Sequence, residues 1–155
     1  MKIYLSKIRV LYCDTDQMGC VHHSNYLKYY ETARCELLRE LGVSYKEIEE
    51  KGILLPVIKV TLKYIKPALY DEELIVETVI QSFNGATICF ENRLLNEVGE
   101  LINKAEISLA FINKATGKPC YPPDFIAKKL NGYFKKSVCQ AKVLINEVIL
   151  NAGKS

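Results

Sequence analysis

Apolar residues recur along this chain with two different periods, and the change near residue 57 separates a helical region from a run of strands. From Asn25 to Leu41 they return every three or four positions, which is the spacing of one face of an α-helix. The face consists of Tyr26, Tyr30, Ala33, Leu37 and Leu41, widened by Leu27 and Leu38. The pattern predicts a long helix with Ser24 as its N-cap and Gly42 as the left-handed residue that ends it.

Alternation of apolar and polar residues predicts strands on both sides of this helical region. A short second helix, from about Ser44 to Glu50, follows the long one. Pro67 stops the strand that begins near residue 57, and Asn84-Gly85 is a strong hairpin signal between two later strands. The predicted strands cover residues 2–12, 57–64, 73–83, 86–95 and 104–111.

The order of elements is one strand, a long helix and then four strands joined by turns, which predicts an α+β fold. We expect the four strands to form an antiparallel meander, with the helix packed on one face of a single sheet. After Pro122 and Pro123 a further helix is predicted near Ile126 to Leu130. Residues 141–150 fit either a strand or a helix.

The composition is that of one soluble globular domain. Of the 155 residues, 49% are hydrophobic and 25% charged, and no run approaches the roughly 20 apolar residues that span a bilayer. A net charge of +3, spread along the chain, is too weak to indicate nucleic-acid binding. Residues 1–10 lack the continuous apolar stretch of a signal peptide, so we expect a cytoplasmic protein.

The six cysteines show no C-x-x-C pair and no spacing typical of a zinc site. Several stand where a helix or a strand needs a small apolar residue. We therefore interpret them as reduced packing residues rather than disulfides or metal ligands. They are Cys13, Cys20, Cys35, Cys89, Cys120 and Cys139.

The candidate chemistry lies in the segment from Asp14 to Tyr26, between the first strand and the long helix. The chain contains no G-x-S-x-G, P-loop, G-x-G-x-x-G or H-x-x-x-H motif, which disfavours serine hydrolases, NTPases and common metal hydrolases. Asp14 and Asp16 form a D-x-D pair that can bind a metal ion, but the residues that follow supply no further carboxylate. The segment favours a single working carboxylate beside a helix N-terminus.

A helix start next to a carboxylate suits attack on a carbonyl group. Backbone N–H groups near His22 and His23 have no partner within the predicted helix and carry the positive end of its dipole, so they can polarise a carbonyl oxygen. A neighbouring carboxylate can attack that carbonyl or activate a water molecule. Gly19 lets the backbone pass close to a ligand.

Three segments carry a family resemblance. The first has the pattern Asp14-x-Asp16-x-x-Gly19-x-Val21-x-His23-x-x-Tyr26 and continues through Tyr29-Tyr30-Glu31-Thr32-Ala33-Arg34; the others are Lys63 to Ala68 with Tyr70 to Leu74, and Ala115 to Pro119. Together they closely resemble the 4-hydroxybenzoyl-CoA thioesterase branch of the hotdog-fold superfamily, and within it the acyl-CoA thioesterases associated with the bacterial Tol-Pal cluster. The resemblance covers about residues 3–125 of a single expected domain, 1–155, whose residues 130–155 form a C-terminal extension.

The resemblance implies a hotdog fold, in which a five-stranded antiparallel sheet wraps around one long central helix. It also implies an acyl-CoA thioesterase without a metal or organic cofactor. Asp16 matches the catalytic carboxylate, acting as a nucleophile or as a general base on water, and His23 matches the residue whose backbone N–H polarises the thioester carbonyl. We expect a homodimer or homotetramer with its sites, and the bound CoA, at the subunit interface.

Around Asp16 and His23, some residues have more than one interpretation. Asp16 by itself also fits a turn-stabilising carboxylate, and the His23 side chain is either a polar cap or a direct participant. Asp14 is expected to brace the turn through hydrogen bonds to backbone N–H groups. Gly19 and Val21 are expected to hold the two central residues in place and to lie against the substrate, whereas no role is assigned to His22.

Farther along the chain, Tyr26, Tyr29 and Tyr30 are expected to pack in the core, and the motif position of Tyr26 also makes it a candidate substrate contact. Glu31 and Arg34 are predicted to form an exposed or interface ion pair. Lys59 and Lys63 share one strand face, which either meets the CoA phosphates or is simply solvated.

The chain departs from the resembling family at His22, Met18 and Cys20, which bears on the preferred acyl group. The hairpin from Asn84 to Thr87 carries no basic residue, so CoA phosphates are expected to bind elsewhere. The alternative function is a non-catalytic hotdog module that binds acyl groups on CoA or on a carrier protein. A dehydratase on the same fold is disfavoured because no dehydratase-type histidine motif is present.

Overall fold

A five-stranded antiparallel sheet dominates the computed structural model, which describes residues 2–134. Its order is β1-β4-β5-β6-β3, and a separate two-stranded sheet pairs β2 with β7. The elements of the larger sheet are β1 (Tyr4–Arg9), β3 (Val57–Tyr64), β4 (Glu73–Phe83), β5 (Thr87–Leu95) and β6 (Leu101–Ala110); those of the smaller are β2 (Ile53–Leu54) and β7 (Ile112–Asn113). The predicted α+β class is confirmed.

The predicted four-strand meander is wrong for one strand. β4, β5 and β6 are consecutive neighbours, as expected, but β3 lies at the far edge and pairs with β6, with Val60 opposite Ile107. β4 instead receives β1, with Ile8 opposite Leu74. The physical reason is that residues 65–72 form a crossing connection rather than a hairpin turn, and hairpin signals reveal only pairings between neighbouring strands.

The long helix α1 (Tyr26–Glu40) packs against β4 and β1 on the inner face of the sheet. Most of its predicted apolar stripe is buried, but Leu27 is 36% exposed and Leu41 is only half-buried. Alternating strand residues such as Leu74, Val76 and Ile80 are buried with it. Gly42, with φ +74°, stands just past the helix end as expected. The predicted N-cap is one residue early, because Asn25 occupies that position after a 3₁₀ turn, His23–Asn25.

The ion pair predicted between Glu31 and Arg34 is present, but it is not exposed on the Arg34 side. Arg34 is not at the surface: its side chain is only 4% exposed, whereas that of Glu31 is 70% exposed, and the two groups approach to only 3.9 Å. The Arg34 Nε also donates a 2.8 Å hydrogen bond to the hydroxyl of Tyr45, at the start of α2 (Tyr45–Glu50). The guanidinium therefore joins the two helices inside the protein.

The described part of the chain ends in a helical segment, residues 124–134, which confirms the helix predicted near Ile126 to Leu130. Ile126, Leu130 and Tyr133 are buried against the rest of the protein. The ambiguous segment 141–150 lies outside the described residues. No helix in residues 2–134 is long and apolar enough to cross a membrane.

Five of the six cysteines are described, and all five carry free thiols. Cys20, Cys35, Cys89 and Cys120 are half-buried, which suits the packing interpretation. Cys13 is exposed, so packing is the wrong interpretation for that residue. Cys139 lies outside the described residues.

Candidate active site

The loop from Thr15 to Val21, which we call the Asp16 loop, is a tight reversal closed by backbone hydrogen bonds. Thr15 and Val21 form an isolated antiparallel bridge, and the N–H of Asp16 bonds to the carbonyl of Cys20 at 3.0 Å. Gly19 has φ +77° and donates its N–H to the carbonyl of Asp16 at 3.0 Å. A left-handed residue is required at this corner, which explains why glycine occupies it.

Asp16 is half-buried at the beginning of this loop. Its Oδ1 accepts a 2.9 Å hydrogen bond from the backbone N–H of Met18, which fixes the side chain. Within residues 2–134, Oδ2 accepts no hydrogen bond. One carboxylate oxygen is thus held by the loop, while the other is available to a ligand.

Asp14 braces the segment before the loop, as predicted. It is 8% exposed, and its Oδ2 accepts hydrogen bonds from the backbone N–H of Leu11 at 3.0 Å and from the Tyr29 hydroxyl at 2.9 Å. Its backbone carbonyl accepts two more, from the N–H of His22 and the Nδ2 of Asn25, both at 2.8 Å. The two bonds to Oδ2 engage the Asp14 carboxylate in holding the segment together.

The last residue of the loop and the two residues after it are each tied to a different part of the fold. The Val21 N–H donates to the Ala68 carbonyl at 2.9 Å, the His22 N–H donates to the Asp14 carbonyl at 2.8 Å, and the His23 carbonyl accepts from the Tyr64 hydroxyl at 2.9 Å. The N–H of His23 has no acceptor in the part of the chain that the structure describes. This donor remains free at the start of the turn that leads into α1.

The two histidine rings lie against each other, with centroids 4.1 Å apart. The Nδ1 of His22 is 2.8 Å from the hydroxyl oxygen of Ser24 and also accepts from the Ser24 N–H at 3.4 Å. His22 therefore caps the 3₁₀ turn, a contribution that the sequence did not reveal. The His23 ring is exposed.

A surface cavity of about 310 Å³ opens beside the loop, and we call it the Asp16 cavity. Four residues predicted for the site line it together: Asp16, Val21, His23 and Tyr26. The other lining residues are Met18, Cys20, Tyr64, Ile65, Lys66 and Pro67.

The lining residues from Tyr64 to Pro67 had no site role assigned from the sequence. They lie at the end of β3 and in the connection after it, and this connection reaches the loop through the bond between Val21 and Ala68 and through a bridge between Cys20 and Leu69. The only signal for them was the family-like segment Lys63 to Ala68. Their position depends on a contact across more than forty residues of sequence, which local patterns do not reveal.

Three predicted substrate contacts do not line this cavity. Gly19 stands in the loop with open space around it. Lys63 lines a different hollow, with Glu91 and Lys104 on the outer face of the sheet, and Lys59 lines a third hollow beside Gln81. Within one chain, the structure therefore does not bring the two lysines to Asp16.

The tyrosines of α1 are core residues, as predicted: Tyr26, Tyr29 and Tyr30 are 3%, 5% and 0% exposed. Burial raises the pKa of all three phenols, and the bond to Asp14 raises that of Tyr29 further. The Tyr26 ring also meets the Tyr64 ring edge to face at 5.5 Å. Tyr26 thus serves both as a core residue and as a wall of the cavity.

No group of three or more His, Cys, Asp or Glu side chains within residues 2–134 is arranged to hold a metal ion. Asp14 and Asp16 in particular do not act as a pair. One carboxylate is engaged with Leu11 and Tyr29, whereas the other lines the cavity.

Comparison with known proteins places the chain among thioesterases. The family model of the thioesterase-like superfamily matches residues 10–130. The chain is 34% identical over 122 residues to the acyl-CoA thioester hydrolase YbgC of Escherichia coli, covering 78% of this chain and 91% of the relative. It is 37% identical over 113 residues to the acyl-CoA thioesterase YbgC of Haemophilus influenzae, covering 72% and 82%.

Solved structures agree with the sequence relatives. A DHNA-CoA thioesterase from Staphylococcus aureus superposes with a TM-score of 0.80 at 29% identity, covering 95% of each chain. BH1999, a gentisyl-coenzyme A thioesterase, superposes with a TM-score of 0.71 at 25% identity, covering 77% of this chain and 96% of that one. The predicted hotdog fold is confirmed.

Proposed function

The chain belongs to the thioesterase-like superfamily, and we propose that it hydrolyses acyl-CoA with the carboxylate of Asp16 and the backbone N–H of His23. Acyl-CoA thioesterase activity is the property shared by its named relatives, at 34–37% identity over most of the chain. The observation that carries the mechanism is that Asp16 and His23 line one cavity, one with a free carboxylate oxygen and the other with a free N–H.

Hydrolysis needs a nucleophile and a donor for the charge that develops on the carbonyl oxygen. In the general-base route, Asp16 removes a proton from water while the water oxygen bonds to the thioester carbon. In the nucleophilic route, the carboxylate itself forms an acyl-anhydride that water then cleaves. In both routes the His23 N–H stabilises the oxyanion, the carbon–sulfur bond breaks, and CoA leaves as a thiol after protonation.

The remaining residues of the proposed site hold or enclose the substrate. Val21 and Tyr26 are buried walls of the cavity, 4% and 3% exposed, and both offer apolar surface to the thioester arm. Gly19 acts indirectly, by allowing the turn that holds Asp16. The proposed route uses only these protein groups and water.

We further propose a homodimer or homotetramer assembled through β3. This strand ends the sheet as described, so one of its edges has no neighbouring strand. Apolar side chains on it are exposed to an unusual degree, including Val57 at 47%, Ile58 at 57% and Val60 at 38%. An edge strand with exposed apolar residues favours pairing with another chain.

In such an assembly, Lys59 and Lys63 contact the phosphates of CoA bound by a neighbouring subunit. Both lysines are exposed on β3, and neither lines the cavity of its own chain. Replacing both with Gln should raise KM for acyl-CoA and leave kcat nearly unchanged, because the phosphates lie far from the reacting carbon. The matched control replaces Lys46 and Lys51, which are exposed near α2. Equal KM values in the two double variants would contradict the assignment.

The alternative is a hotdog module that binds acyl-CoA or an acyl carrier protein without cleaving it. Thiol release from a panel of acyl-CoAs separates the two functions. The panel contains short, long and aromatic acyl groups, since the solved relatives include DHNA-CoA and gentisyl-CoA thioesterases. Release from at least one substrate supports the hydrolase, whereas saturable binding without release from any substrate favours the module.

A cytoplasmic location stays a prediction.

A further inference from the structure

Resting on the function proposed above, we propose that Tyr64 is a positioning residue that holds the backbone at His23, and thereby its N–H, in place for oxyanion binding. Tyr64 is the last residue of β3, 41 positions away from His23 in sequence. Its hydroxyl donates a 2.9 Å hydrogen bond to the His23 carbonyl oxygen. Through this bond, the end of β3 contacts the residue whose N–H is the proposed oxyanion donor.

With this bond, three successive residues, Val21, His22 and His23, are each held by a hydrogen bond to another part of the fold. Val21 is held by Ala68 and His22 by Asp14, in each case through the backbone N–H. The His23 N–H has to stay free for substrate, and the peptide group that carries it is held through the His22 carbonyl, which accepts from the Asn25 N–H at 2.9 Å. The Tyr64 hydroxyl holds the peptide group on the other side of the His23 Cα, through the His23 carbonyl.

The Tyr64 ring is itself held in position by the cavity wall. It meets the ring of the buried Tyr26 edge to face, with centroids 5.5 Å apart and planes at 83°. Such pairs fix the orientation of both rings. The Tyr64 side chain is 50% exposed, so this contact, rather than burial in the core, aims its hydroxyl at His23.

Holding His23 on both sides of its Cα matters because oxyanion donors must be aimed before the charge develops. An N–H that has to be reoriented during the reaction loses much of its advantage over water. Removing the Tyr64 hydroxyl should therefore weaken binding of the transition state while leaving binding of the ground state unchanged. A purely structural residue would instead lower stability without changing the turnover of the folded enzyme.

The test is Tyr64→Phe, which keeps the ring and its contact with Tyr26 and removes only the hydroxyl. We expect kcat to fall about three- to tenfold, the usual effect of one hydrogen bond, with KM within about twofold of wild type. Hydrogen exchange of the full-length protein should show faster exchange of backbone amides in residues 21–26. The control is Tyr70→Phe, an exposed tyrosine outside the cavity, which should change neither measurement.

Each outcome decides between the two proposals. If wild type releases thiol and Asp16→Asn does not, but Tyr64→Phe keeps the wild-type kcat, the role of Tyr64 is overturned and the function stands. A change in KM alone, or a lower kcat without faster exchange, also overturns the positioning role, because the hydroxyl then acts on the substrate. If wild type cleaves no substrate, the proposed function fails and the role of Tyr64 fails with it.

Discussion

The hydroxyl of Tyr29 donates a 2.9 Å hydrogen bond to Oδ2 of the buried Asp14 carboxylate, which ties the first turn of α1 to the segment before the Asp16 loop. The same oxygen accepts the N–H of Leu11. A carboxylate this enclosed requires its donors, because an unpaired polar group inside a protein is costly. The Asp14 carboxylate therefore couples the helix to the loop, and loss of this hydrogen bond should also affect the site.

Tyr29→Phe tests that unit. Loss of a hydrogen bond to a carboxylate should lower the free energy of unfolding by about 2 kcal/mol, measured by urea denaturation. Tyr12→Phe is the control, because Tyr12 is 80% exposed and should change stability by less than about 0.5 kcal/mol. Equal effects of the two substitutions would mean that the bond to Asp14 does not contribute to the free energy of unfolding.

The two glycines Gly19 and Gly99 form a matched pair for testing the loop. Both have positive φ, +77° and +80°, and in both cases an added Cβ meets open space. Each substitution by Ala should therefore cost about 1 kcal/mol of stability through backbone strain alone. Only Gly19→Ala should also lower turnover, by at least about tenfold, because it shifts Asp16. Similar kinetics for the two variants would show that the loop does not position the carboxylate.

The edge of β3 is tested by Val60→Lys, with Leu5→Lys on the opposite edge strand β1 as the control. Both residues are exposed in the single chain, at 38% and 62%. A charge at Val60 should dissociate the assembly and lower activity, whereas a charge at Leu5 should leave both unchanged. Light scattering measures the mass in solution. An unchanged mass for Val60→Lys would place the interface elsewhere.

The buried phenols predict loss of stability in alkali. Burial raises the pKa of Tyr29 and Tyr30 above the ordinary value of 10.0. As the pH rises past that value, the unfolded chain loses these protons first, so the free energy of unfolding should fall. Tyr30→Phe should reduce the fall, and Tyr121→Phe, at a 76% exposed position, should not. Urea unfolding at neutral and alkaline pH provides the measurement, and a pH-independent stability would contradict the prediction.

Local patterns predicted the parts of the fold that depend on local forces. The span of α1 follows from helical periodicity, and β4 follows from alternation between Pro67 and the Asn84-Gly85 turn. The position of β3 beside β6 could not be predicted in this way, because it is set by packing between distant segments. The burial of Arg34 could not be predicted for a related reason, since it depends on a contact with Tyr45 in the next helix.

The same division holds at the site. Asp16, Gly19 and His23 lie within one short motif, so the sequence contained the proposed nucleophile and oxyanion donor. Tyr64 and Lys66 reach the cavity only because the connection after β3 folds back over the loop. No spacing within the Asp16 motif reveals that contact.

The central claim is that Asp16 performs the chemistry, and turnover of Asp16→Asn tests it most directly. The substitution keeps the shape of the side chain and an oxygen that can accept the Met18 N–H, so folding should be unaffected. Asp124→Asn, at an exposed position outside the cavity, is the matched control. The account predicts that thiol release falls by about a hundredfold or more in Asp16→Asn and is unchanged in the control. A folded Asp16→Asn with near wild-type turnover would contradict it.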